Sequence, residues 1–141
     1  MRSLALLALL LALPGVAAAF TVTVDQDTYV VGQTVTITYD NTGGEAIEFG
    51  GAPPFTIQRL DGDYEFILHL PEIIVLPAGE TMVETWNTGL LPDPAGQYRV
   101  TVSGWLQADP DETVSASADY TLEEPVAADA STWSAVHRLF R

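Results

Sequence analysis

Histidine is the one side chain whose ordinary pKa lies near neutral, and this 141-residue chain has two, His69 and His137, with no cysteine. His69 stands in an apolar run between Leu68 and Leu70, and His137 is four residues before the last residue, Arg141. Nucleophilic catalysis needs a hydroxyl or thiol beside a base that a third group orients, and no serine here sits in a nucleophile elbow. Without cysteine there is no thiol chemistry, iron–sulfur cluster or zinc–thiolate site. Asp61, Asp63 and Glu65 surround one turn, and Asp109, Asp111 and Glu112 another. Alternating carboxylates in a loop can approach calcium, but neither turn carries the full ligand run, so solvated turn acids are the reading. Hydrolysis of a glycoside needs two carboxylates facing across a cleft, which spacing does not disclose. Trp86, Trp105 and Trp133 raise the question of sugar stacking. Trp86 ends an alternating strand and reads as core, while Trp105 follows Gly104 near a strand end and has more claim to exposure. No catalytic residue, metal ligand or cofactor is expected.

Two connections suit binding better. Gly50 to Pro54, with Pro53 and Pro54, and Asn87 to Pro94, with Leu90, Leu91 and Pro92, are long and stiffened by proline. Leucines flanked by prolines fit an apolar specificity pocket, and they equally fit an ordinary connection whose leucines cap the core. The third candidate is the tail. Trp133, Val136, His137 and Phe140 fall at spacings of three, four and seven, so on a helix they share one face. Trp133, Val136 and Phe140 then form either a docking face or a packing face against the rest of the chain.

The elements that would position these residues have a period of two. Phe20 to Val24, Thr34 to Tyr39, Ala46 to Phe49, Phe55 to Leu60 and Tyr64 to Leu70 alternate apolar with polar residues. Asn41 to Gly44 and Asp61-Gly62-Asp63 are turn signals between them. Pro71 lacks a donor and should weaken pairing there. Ile73 to Leu76, Thr81 to Thr88, Tyr98 to Trp105 and Val114 to Leu122 complete the series. No stretch between Phe20 and Leu122 has helical periodicity. Short strands with a turn roughly every ten residues predict a sandwich or barrel, and one sandwich is the reading. Residues 123–130 are a linker without bulky side chains, and Ser131-Thr132 can cap a short amphipathic helix from Trp133 to Arg141.

Composition bounds the rest. Met1-Arg2-Ser3, the apolar stretch Leu4 to Leu13, Pro14-Gly15 and the small residues Ala17 and Ala19 make up a secretory signal peptide over residues 1–19, with cleavage after Ala19. The apolar run falls short of the ~20 residues that span a bilayer, so no transmembrane segment is expected in the mature chain. About 120 residues remain, enough for one domain held by its core alone. The formal charge is −14, and the five basic residues are all arginine. Such a chain repels nucleic acid and anionic membranes and favours solubility; its acidity can steer it toward a basic partner, but a habitat or genome-composition origin is the preferred reading.

Three segments resemble a known family. Val30-Val31-Gly32-Gln33-Thr34 through Asn41-Thr42-Gly43, Phe55 through Gly62, and Leu76-Pro77-Ala78-Gly79-Glu80-Thr81 through Trp86-Asn87, continued by Ala95-Gly96-Gln97-Tyr98 to Val102, are similar to the BsuPI-type intracellular proteinase inhibitor domain of bacteria. The chain departs from that pattern in its leader and in the strand Tyr64-Glu65-Phe66-Ile67, where the family has tryptophan. The resemblance implies an all-β, antiparallel immunoglobulin-like β-sandwich over residues 20–122, to which the sequence adds the linker and the short C-terminal amphipathic helix of residues 131–141. It also implies a non-catalytic role with a protein partner, in particular a protease. The competing class is a structural or adhesion module of the cell envelope, and a monomer is assumed.

Overall fold

A computed structural model describes residues 20–62, 65–67, 70–91 and 94–126. The expected leader, His69, Pro92, the end of the linker and the tail with Trp133, Val136 and Phe140 lie outside the described residues, as does the helix expected there.

The regular secondary structure of the described residues is nearly all strand. In order the strands are β1 (Thr21–Val24), β2 (Thr28–Val30), β3 (Thr34–Asp40), β4 (Ile47–Phe49), β5 (Phe55–Arg59), β6 (Glu65–Ile67), β7 (Ile74–Leu76), β8 (Thr81–Asn87), β9 (Gly96–Leu106) and β10 (Thr113–Glu123). A single 3-10 turn, Thr88–Leu90, follows β8. One sheet has the order β1-β3-β8; the other runs β2-β10-β9 and then divides. β9 pairs with β10 along one edge, and on its other edge with β5 at Tyr98–Val102 and with β4 at Trp105–Leu106. β5 carries β6 outward, and β4 carries β7.

The division depends on Gly104. A Cβ there would lie 2.6 Å from the Glu48 carbonyl oxygen and 2.7 Å from Phe49 Cδ1. Only a residue without a side chain lets β4 approach β9 so closely.

The alternation read from the sequence buries one side of each ribbon. Val35, Ile37 and Tyr39 of β3, and Val100 and Val102 of β9, are fully buried, with threonines between several of them left at the surface. Aromatic rings join the sheets: Tyr39 of β3 lies 6.4 Å from Phe49 of β4, and Phe55 of β5 lies 6.3 Å edge-on to Trp86 of β8. One core therefore serves both sheets. Each fully buried large apolar side chain contributes about 1.5–3 kcal/mol, and there is no disulfide to add to it.

Two features depart from the expectation. β2 is an additional strand, and it pairs parallel with β10 (Thr28 opposite Thr121), whereas the other pairings among the described residues are antiparallel. Three residues are too few to show a period. β10 runs through Glu123, one residue past the expected boundary, because Glu123 still pairs with Val30. Of the strand expected from Tyr64 to Leu70, the described residues form β6 and a bridge from Leu70 to Ala52.

β1 and β2 lie in opposite sheets, and Asp25 forms the corner between them. Its carboxylate accepts from the Tyr29 hydroxyl at 2.5 Å and from the Thr36 backbone N–H at 2.9 Å. The Tyr29 hydroxyl in turn accepts from Gln26 N–H at 3.0 Å. Asn41 pins a second corner. Its side-chain amide donates to the carbonyls of Glu45 (2.7 Å) and Pro77 (3.1 Å), and its backbone carbonyl accepts from Gly79 N–H (2.8 Å).

Candidate functional site

The two proline-stiffened connections meet at one place. The end of β8 carries the chain into the 3-10 turn, where Asn87 Oδ1 caps it by accepting from Gly89 N–H at 2.9 Å. Thr88 is fully buried: its hydroxyl donates to the Gln33 carbonyl at 2.8 Å and accepts from Gly32 N–H at 2.9 Å. The turn is thereby tied to the β2–β3 connection, and Leu90 projects from it with 68% of its surface exposed.

Across from it, Ala52 and Leu70 exchange backbone hydrogen bonds of 3.0 and 2.9 Å, and Leu70 is 62% exposed. Between these walls lies a groove of about 520 Å³, lined among others by Pro53, Phe55, Leu70, Glu84, Trp86 and Leu90. Its lining is mainly apolar. The groove is the open side of the sandwich, where β8 ends one sheet and the segment leading into β5 begins the other.

The structure separates the residues nominated from the sequence. Pro53, at the end of a cis Ala52–Pro53 bond, and Leu90 line the groove. Leu91 does not: only 6% exposed, it is part of the core, because the extended residue after the turn faces inward. Pro54 is buried too, beside a smaller hollow of about 280 Å³ formed with Phe49, Gly50, Gly51 and Ser103. Leu70, Phe55 and Glu84 were not singled out in the sequence. They reach the groove only through the pairing of Ala52 with Leu70 and the position of β8 at a sheet edge.

The other chemistries fare as follows. Trp86 is 4% exposed and packs edge-on to Phe55, so it offers no open face to a sugar. Trp105 is half-buried over Gly50, where an added Cβ would come within 3.1 Å of its ring. Asp61 is bound to Arg59 at 2.6 Å, which holds its carboxyl below the usual carboxylate range. Arg59 also donates to the Ala95 carbonyl at 2.8 Å. Asp109 accepts from Asp111 N–H at 3.2 Å within its own turn. Among the described residues no three His, Asp or Glu side chains are grouped as a metal site. Arg99 and Asp119, opposite each other on β9 and β10, form a two-pronged pair at 2.7 and 2.8 Å that lowers the Asp119 pKa. Both described arginines are thus paired.

No family model matches the chain, and no curated protein is similar to it. Among solved structures, it is similar to the sporulation control protein Spo0M from Bacillus subtilis, with a TM-score of 0.42 and 16% identity. That match covers 84% of this chain and 54% of the other, so this chain spans about half the length of that protein. Among the described residues no helix is long and apolar enough to cross a membrane.

Proposed function

We propose that this chain is an exported, non-catalytic protein-binding domain of immunoglobulin-like architecture that receives its partner at the groove beside Leu90. The observation carrying this reading is the convergence of Pro53 and Leu90 on one apolar groove, with the Leu90 turn already held by Thr88. A wall ordered before the partner arrives lowers the entropic cost of binding. The immunoglobulin-like reading is supported by the pairing of β3 with β8 in one sheet, of β5 with β9 and of β9 with β10 in the other, and by the division of the first ribbon between them. Export rests on the leader pattern. β1 begins at Thr21, so cleavage after Ala19 leaves every described strand intact.

The resemblance to BsuPI-type domains makes a proteinase the partner to try first. The test titrates a subtilisin-like and a trypsin-like protease with the chain beginning at Phe20. Stoichiometric loss of activity is expected for one of them, weakened at least about tenfold by Leu90→Glu, since a charge in an apolar contact is left without a partner. Full protease activity at micromolar excess would remove inhibition and leave protein binding to be tested by other partners.

A further inference from the structure

The groove lies along an edge of β8 that no described strand pairs. Among the described residues β8 pairs with β3 alone. Thr88 N–H donates to the Gln33 carbonyl at 3.3 Å, and Asn41 N–H donates to the Glu80 carbonyl at 3.0 Å. With Trp86 opposite Val35 and Glu84 opposite Ile37, this makes the even-numbered residues of β8 the ones bonded to β3. β1 agrees from the far side: Asp25 N–H donates to the Thr36 carbonyl, so even-numbered residues of β3 face β1 and odd-numbered ones face β8. The odd-numbered residues of β8 therefore direct N–H and C=O away from the sheet. Val83 and Thr85 do so beside the groove, which Glu84, Thr85, Trp86 and Asn87 line.

We infer that the groove takes an extended peptide segment of a partner protein, added as a strand to the outer edge of β8 with alternate apolar side chains set between the exposed Leu70 and Leu90, over the floor that Phe55 and Trp86 close. This rests on the protein-binding reading and specifies its mode. Strand addition supplies affinity through main-chain hydrogen bonds and selectivity through pockets for every second side chain. Four residues, Glu84 to Asn87, span about 13 Å, so the seated segment is four or five residues long. Charge sets its flanks: the chain carries −14, Glu84 lines the groove and exposed Glu80 precedes β8, while both described arginines are paired. The segment is therefore apolar at alternate positions and bordered by basic residues.

The test uses the whole chain from Phe20 to Arg141 and a fluorescent nonapeptide, Arg-Thr-Val-Thr-Leu-Thr-Val-Thr-Arg. Binding is followed by anisotropy, and amide exchange of Val83 and Thr85 by NMR. Wild type is expected to bind, and those two amides to exchange fast alone and slowly with peptide. Val83→Pro removes a donor that β3 does not use, and proline is tolerated at sheet edges. It should lose affinity at least about tenfold with its melting temperature nearly unchanged; Thr85→Pro serves if the first variant does not fold. Equal binding by the folded proline variant, or no binding by wild type at about 1 mM peptide, overturns the inference. So does protection of Val83 and Thr85 without peptide, because the chain's own tail then fills the edge. Should a protein partner bind wild type and Val83→Pro alike, strand addition fails while the protein-binding reading stands.

Discussion

Asn41 holds two turns together from a fully buried position. Its amide group reaches the carbonyls of Glu45 and Pro77, with a longer contact to Leu76 at 3.4 Å. Asn41→Ala should lower stability by about 2–3 kcal/mol, because carbonyls that the protein keeps from water lose their donor. Denaturant melts of the two proteins measure this. Tyr29 and Asp25 set a dependence on pH. Burial first, and then the Asp25 carboxylate, push the Tyr29 hydroxyl up from 10.0 to about 12. Its stabilising effect is complete below pH 10 and is lost as pH rises toward 12. Asp25 shifts the opposite way, below 3.8, chiefly because the Tyr29 hydroxyl donates to it. Its contribution is present above that value and is lost as pH falls through the lower folded pKa. Tyr29→Phe should therefore flatten both the acid and the alkaline limb of a plot of melting temperature against pH. Near neutrality it should lose about 1–2 kcal/mol.

At the scale of elements, the sequence showed where strands lie better than which strands meet. Threonine alternation located β3 and β9, and the turn at Pro77-Ala78-Gly79 correctly separated β7 from β8. β2 was not legible, since Thr28–Val30 has meaning only beside the end of β10. β4 was legible as the run Ala46 to Phe49, but its pairing was not, since it reaches β9 only because Gly104 leaves room. Gly104→Ala should destabilise the protein by about 1–3 kcal/mol, since the new methyl meets backbone and core atoms with no free direction. Thermal unfolding tests the size. The loss of protection in native-state hydrogen exchange should concentrate in β4 and β7, the strands that depend on that approach.

At the scale of the molecule, the proposed leader makes a direct prediction. Protein recovered after export should have a mass beginning at Phe20, as mass spectrometry of the intact chain will read. A mass that includes Met1 would contradict the cleavage site. The melting behaviour of that exported form should match a chain expressed from Phe20, because no described strand includes earlier residues.

What the sequence determined by itself was local or compositional. Period-two burial placed Val35, Ile37, Tyr39, Val100 and Val102 inside, since alternation along a ribbon needs no knowledge of its neighbour. The absence of cysteine likewise excluded thiolate chemistry before any coordinates. The tertiary structure alone decided that Leu90 faces outward and Leu91 inward, that Pro53 shares a groove with Leu90 while Pro54 does not, and that β8 lies at an edge. Those facts depend on contacts between residues tens of positions apart, such as Thr88 with Gln33 and Ala52 with Leu70. Neighbouring residues of one type take opposite sides according to which distant strand the backbone has already met.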